Sequence, residues 1–209
     1  MPQVSFNYCA LHYLNLWFRQ EKRYCDALET ISASNRLEAL RDAAITFGVA
    51  RNLPDAHAVG SGVAKYAPVL SEIDRVDPET LQGAGLVPAI RNVEKLISAR
   101  FGGATVTSFT TKMLWLRFKS PIIIYDRNAR TALELKLKKG RELEDFYIAW
   151  QTGYDIHAAQ IDVACDELPS AVRYCVNKSV TTEHIQTFAN QRWFKARVYD
   201  IYLWHSGGS

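Results

Sequence analysis

The sequence predicts an all-α fold, on three observations. Apolar residues recur at steps of three and four along most of the chain. Sustained alternation at period two is almost absent. Gly, Pro, Asn and Asp cluster between the periodic runs rather than within them.

The elements follow in order. Phe6 to Phe18 is aromatic-rich and nearly regular, which predicts a helix over 8–20. Leu37, Leu40, Ala44 and Phe47 predict one over 36–49, and Leu86, Ile90, Val93 and Ile97 one over 86–99. Val106, Phe109, Met113 and Leu116 predict 107–119, with Pro121 as its stop. Further helices are expected over 128–138, over 141–151 from Leu143, Phe146 and Trp150, and over 191–203. Asp77-Pro78 opens a short helix that Leu81-Gln-Gly-Ala-Gly85 closes, and Phe101-Gly-Gly103 ends the 86–99 helix. Asn52-Leu-Pro-Asp55, Gly60-Ser-Gly62, Gly140 and Leu168-Pro169-Ser170 mark other boundaries, and Gly207-Gly-Ser209 reads as a frayed end or an appended remnant. With no repeat and no long linker, a single all-α domain spanning 1–209 is expected, with the option of two lobes around a cleft meeting near 101–126.

Composition narrows the class. Of 209 residues, 48% are hydrophobic and 24 are aromatic, which excludes disorder as the main state. The apolar run at 121–125 falls far short of the roughly 20 residues a bilayer needs. The first residues carry no basic leader or small-residue cleavage site, so no secretion signal and no membrane partner are expected. Cys9, Cys25, Cys165 and Cys175 lack Cys-x-x-Cys spacing, which excludes a zinc ribbon and points to reduced thiols in a cytoplasm. His12, His57, His157, His184 and His205 show no i, i+4 pair, so no metal and no cofactor are expected.

Charge is unevenly spread. Lys112, Arg117, Lys119, Arg127, Arg130, Lys136, Lys138, Lys139 and Arg141 are opposed within 112–141 only by Asp126 and Glu134. That stretch carries +7 against −4 for the rest of the chain. A basic segment on an acidic body suits a polyanion partner, and a solvated helix face is the alternative.

The chemistry-bearing stretch runs from Phe101 to Arg130. A Gly-Gly turn is followed by Thr107 or Ser108 as helix cap, a lysine in the first turns of an apolar helix, a proline stop, a short apolar return, and Asp126 heading a new helix. Lys112 to Ser120 is roughly 12 Å of helix, and Pro121 to Asp126 is roughly 16 Å of extended chain. The spacing therefore allows Asp126 to return to the level of Lys112. The helix dipole and burial both disfavour a charged lysine, which makes it a better nucleophile. The competing readings are a snorkelling lysine and a helix-capping aspartate.

The order of Gly-rich turn, lysine-headed helix, apolar return ending in aspartate, and helix resembles the helix–hairpin–helix DNA glycosylases. The Thr111-Lys112 to Pro121-Ile-Ile-Ile-Tyr-Asp126 element is most similar to the bacterial 8-oxoguanine-glycosylase-like (OGG-fold) proteins, some of them found in antiphage defence gene clusters. Lys65-Tyr-Ala-Pro-Val-Leu70 and Arg197-Val-Tyr-Asp-Ile-Tyr-Leu-Trp204 look similar to the same group. The Lys-to-Asp interval is shorter here than in the well-known members, and the hairpin reads Phe-Gly-Gly-Ala-Thr. The resemblance implies a helix–hairpin–helix glycosylase-like fold and a DNA N-glycosylase with abasic lyase activity on a damaged or modified base flipped from double-stranded DNA. It implies Lys112 as the amine that attacks the sugar and Asp126 as the carboxylate that supports base departure. It places Leu116 and Asn128 at the base pocket. Arg117, Lys119, Arg127, Asn128 and Arg130 are then the expected DNA contacts. The alternative is a non-catalytic nucleic-acid-binding or protein-interaction module of the same fold.

Three weaker patterns remain. Gly60-Ser-Gly-Val-Ala-Lys65 is a turn rather than a phosphate loop, because the Walker spacing is missing. Asp155 with His157, or Asp200 with His205, are candidate acid–base pairs without distinctive spacing. Trp193-Phe194-Lys195, with Arg197, Tyr199, Tyr202 and Trp204, reads as core plus a polar face rather than a stacking surface.

Overall fold

Side-chain caps start four of the described helices and one short turn. Ser5, Ser32, Asp77, Asp126 and Thr181 each accept a hydrogen bond from a backbone N–H two or three residues on. The computed structural model describes residues 4–54, 62–136 and 140–208. Its helices are α1 (Phe6–Leu16), α2 (Lys22–Glu29), α3 (Ala33–Thr46), α4 (Ala67–Asp74), α5 (Leu86–Arg100), α6 (Thr107–Phe118), α7 (Arg127–Ala132), α8 (Glu142–Glu167), α9 (Thr182–Ala189) and α10 (Arg192–Gly207). A π-helical turn covers Trp17–Glu21, and 3₁₀ turns fill several connections. No strand occurs among the described residues, so the fold is all-α. No described helix is long and apolar enough to cross a membrane.

The chain divides into two compact units, one of Met1–Gln20 with Tyr125–Ser209 and one of Glu21–Ile124. In the Glu21–Ile124 unit, α6 is the central element, packed by α2, α3, α4 and α5. Thr107 and every residue from Phe109 to Leu116 are buried. The sequence pattern suggests a single apolar stripe, but a helix surrounded by four others is core on all sides, so Thr110, Thr111 and Lys112 are enclosed as well.

In the other unit, α10 packs against α1, α7 and α8, and α1 against α8. Phe194, Val198, Tyr199, Ile201, Tyr202 and Leu203 of α10 are all buried, together with Tyr13, Phe146 and Trp150. The aromatic C-terminal segment is therefore core, and Trp204 is its exposed edge. Cys9, Cys165 and Cys175 here, and Cys25 in the other unit, are free and buried. Burial pushes the thiols of Cys9, Cys25 and Cys165 up to about 12, so they remain protonated.

Several boundaries differ from the sequence expectations. The helix predicted over 128–138 ends at Ala132, where Glu134 takes a left-handed backbone (φ 51°); Lys138 and Lys139 lie outside the described residues. The helix predicted over 141–151 runs on to Glu167 straight through Gly153, because that glycine is an approach site for the Tyr199 side chain rather than a break. Gly207 is not frayed. It is the last residue of α10, and its Cα lies so near the Asn128 carbonyl that a Cβ would overlap it. Helices α2, α4 and α9, each of eight residues, carry too short a stripe to stand out in the sequence.

Candidate functional site

A helix–turn–helix hairpin of α5 and α6 carries Lys112. Gly102 and Gly103 both adopt positive φ (67° and 79°), which reverses the chain at little steric cost. The Phe101 and Gly103 amides donate to the Ser98 carbonyl at 3.0 and 2.9 Å, and the Ser98 hydroxyl donates to the Ala104 carbonyl at 2.7 Å. The expected Thr107 or Ser108 cap is not used. Val106 occupies the N-cap without a side-chain bond, and the Thr107 hydroxyl donates to Glu94 instead, tying the first turn of α6 to α5. Glu94 also pairs with Arg91 at 3.3 Å.

Lys112 lies in the second turn of α6 and is 8% exposed. Its Nζ donates to the Ser108 hydroxyl at 3.4 Å and stands 6.0 Å from the centre of the Phe47 ring. An amine held against a hydroxyl one turn back and an aromatic face does not match a snorkelling side chain, which would carry its head to water. In the same helix, the buried Thr110 hydroxyl has no hydrogen-bond partner. Leu116 is fully buried in the same helix. Arg117 lies over the Phe118 ring at 5.4 Å with its Nε buried and unpartnered. Lys119, at the left-handed end of α6 (φ 57°), pairs with Glu29 at 3.4 Å. The helix thus stops at Lys119, two residues before Pro121, whose peptide bond is cis.

The remaining sequence-identified residues belong to the other unit. Asp126 is the N-cap of α7, accepting from the Asn128 amide at 2.8 Å. Arg130 donates to the Tyr125 hydroxyl at 3.1 Å, stacks over that ring at 5.2 Å, and leaves its Nε buried and unpartnered. Arg127 is exposed. Asn128 is half-buried, with its backbone pressed against Gly207 and its side chain near Gly208. Arg117, Arg127 and Arg130 have no carboxylate partner among the described residues. Lys112 and Asp126 fall in different units, so the structure describes each in its own setting.

A third carboxylate emerges from the fold. Asp200 of α10 is buried, accepting from Trp150 Nε1 at 2.7 Å and from Arg197 Nη1 at 3.0 Å. Burial raises its pKa to about 6, opposed by Arg197 and the Trp150 bond and assisted by the nearby Asp126 charge. Arg197 also lies over the Tyr13 ring at 5.2 Å. The Asp200–His205 pairing considered from sequence is replaced by this i−3 arginine, which shares the buried face of α10. Asp155 likewise bonds Gln151 rather than His157, which stacks among Phe6, Tyr199 and Tyr202. The Arg197-x-x-Asp200 spacing was a legible helical ion pair, but its burial was not.

No family model, curated protein or solved structure matches the chain.

Proposed function

We propose that this chain is a DNA N-glycosylase with abasic-site lyase activity, acting on a damaged or modified base flipped out of duplex DNA, in bacterial antiphage defence. Lys112 is the amine that attacks the sugar C1′ and forms a Schiff base, and Asp126 is the carboxylate that steadies the cationic sugar as the base departs. The observation that carries the reading is Lys112 itself. It is a buried amine on a core helix directly after a Gly-Gly hairpin. A lysine is costly there, and buried ionisable groups of this kind are candidates for chemistry.

Borohydride trapping on a duplex with an abasic site tests it. A covalent adduct is expected with the natural chain and none with Lys112→Gln; no adduct with the natural chain overturns the reading. A second reading, a non-catalytic nucleic-acid-binding module, is favoured by the capping role of Asp126 and by the three arginines without carboxylate partners. It expects salt-dependent DNA binding and no adduct.

A further inference from the structure

Tyr8 and His12 lie one turn apart on α1, and His205 reaches them from α10. The three rings meet edge-on, with centroids 5.7 Å apart for Tyr8–His12, 5.6 Å for Tyr8–His205 and 5.3 Å for His12–His205. The Tyr8 hydroxyl is 3.4 Å from His12 Nδ1. Tyr8, Leu11, His12, Asn15, Leu16 and Arg19 line a groove of about 310 Å³. Asn15 is committed to the fold, donating to the Tyr174 carbonyl at 3.3 Å and accepting from the Val176 amide at 2.7 Å.

The charges that act on His12 among the described residues are basic; the nearest carboxylate bonded to α1, Glu167, is engaged by Asn7 at 2.6 Å at the start of the helix. His205 faces it from α10 and Arg19 from the turn after α1. His12, His205 and Arg19 have no carboxylate partner among the described residues, and His205 Nε2 is buried with no hydrogen-bond partner. Burial, then His205, then Arg19 hold the His12 imidazole below its ordinary pKa. An imidazole and an exposed guanidinium at one groove, with no carboxylate paired to either among the described residues, suit an oxyanion. Arg19 supplies a planar fork for it, and the His12 imidazole gains an N–H donor on protonation.

We propose that this groove binds a phosphate group, with proton uptake by His12 on binding. The site uses neither Lys112 nor Asp126, so its failure and that of the glycosylase reading are separable.

Sulfate is the first probe, because its charge is the same at about pH 6 and about pH 8. Calorimetric titration is expected to show binding about tenfold tighter at the lower pH. NMR titration is expected to show His12 holding its proton to higher pH when sulfate is present. Arg19→Gln, at an exposed position, should weaken sulfate binding about tenfold without changing the melting temperature of the sulfate-free protein, and His12→Gln should abolish the pH dependence. Competition by a 5′-mononucleotide assigns the site to a phosphate monoester, and competition by a short duplex without terminal phosphates assigns it to the DNA backbone. Competition by neither overturns the proposal, as does sulfate binding that is independent of pH or unaffected by Arg19→Gln.

Discussion

Gly153 of α8 lies directly beneath the Tyr199 hydroxyl, so close that a Cβ at position 153 would overlap the phenol oxygen. Tyr199 is buried, and its ring packs edge-on against Trp150 at 5.2 Å and Tyr154 at 5.8 Å. The long helix and the C-terminal helix are fitted together at this point. Gly153→Ala adds only a methyl, but it would force the buried Tyr199 ring to shift. The variant is expected to lose about 1–3 kcal/mol by urea unfolding, although alanine is the better helix former. An unchanged midpoint would mean that Tyr199 moves freely.

Asp200 gives the second prediction, in pH. Its folded pKa, raised to about 6 from an ordinary value of 3.8, means the native state holds the proton more tightly than the unfolded chain. Its contribution to stability therefore improves as pH falls from about 6 towards the unfolded value, and is lost as pH rises through about 6. In Asp200→Asn this slope disappears. The variant is also less stable at neutral pH, because the buried Arg197–Asp200 pair is broken. Unfolding free energies of both proteins across the acid range check it, with the difference curve isolating Asp200 from His12. The His12 pKa is lowered, so its contribution is lost as pH falls below the ordinary imidazole range.

Asp126 separates capping from chemistry. Asparagine caps a helix about as well as aspartate, so Asp126→Asn should keep the melting temperature, whereas Asp126→Ala should cost about 1 kcal/mol. Under the proposed mechanism, Asp126→Asn slows base release while leaving nicking at preformed abasic sites partly intact, because that step needs the amine more than the carboxylate. Equal base release by Asp126→Asn and the natural chain would reduce Asp126 to a cap.

Arg127 and Arg130 test the polyanion reading. Arg127→Glu with Arg130→Glu is expected to weaken duplex binding across sequences and to flatten its dependence on salt. Arg130 also braces Tyr125, so unfolding is measured in parallel. Salt-independent binding, or no loss in the double variant, would remove the basic segment from the interface.

The periodic apolar residues by themselves determined the all-α class, and turn chemistry at Asp77-Pro78 and Phe101-Gly-Gly103 placed breaks where the chain turns. The α5–α6 hairpin and Lys112 near the head of an apolar helix were legible for the same reason: left-handed glycines and helical stripes are local, written within a few residues, although the cap expected at Thr107 or Ser108 is not used. What touches a helix from outside is set by residues distant in sequence, and only the tertiary structure decided it. Four neighbouring helices turned α6 from an amphipathic helix into a core one and enclosed Lys112. Tyr199 made Gly153 an approach site inside a continuous helix, and Asn128 did the same for Gly207 at the end of another. Trp150 and Arg197 together made Asp200 a buried carboxylate, and α10 brought His205 to His12. Burial and long-range pairing depend on which faces meet, and no spacing along a single segment encodes that choice.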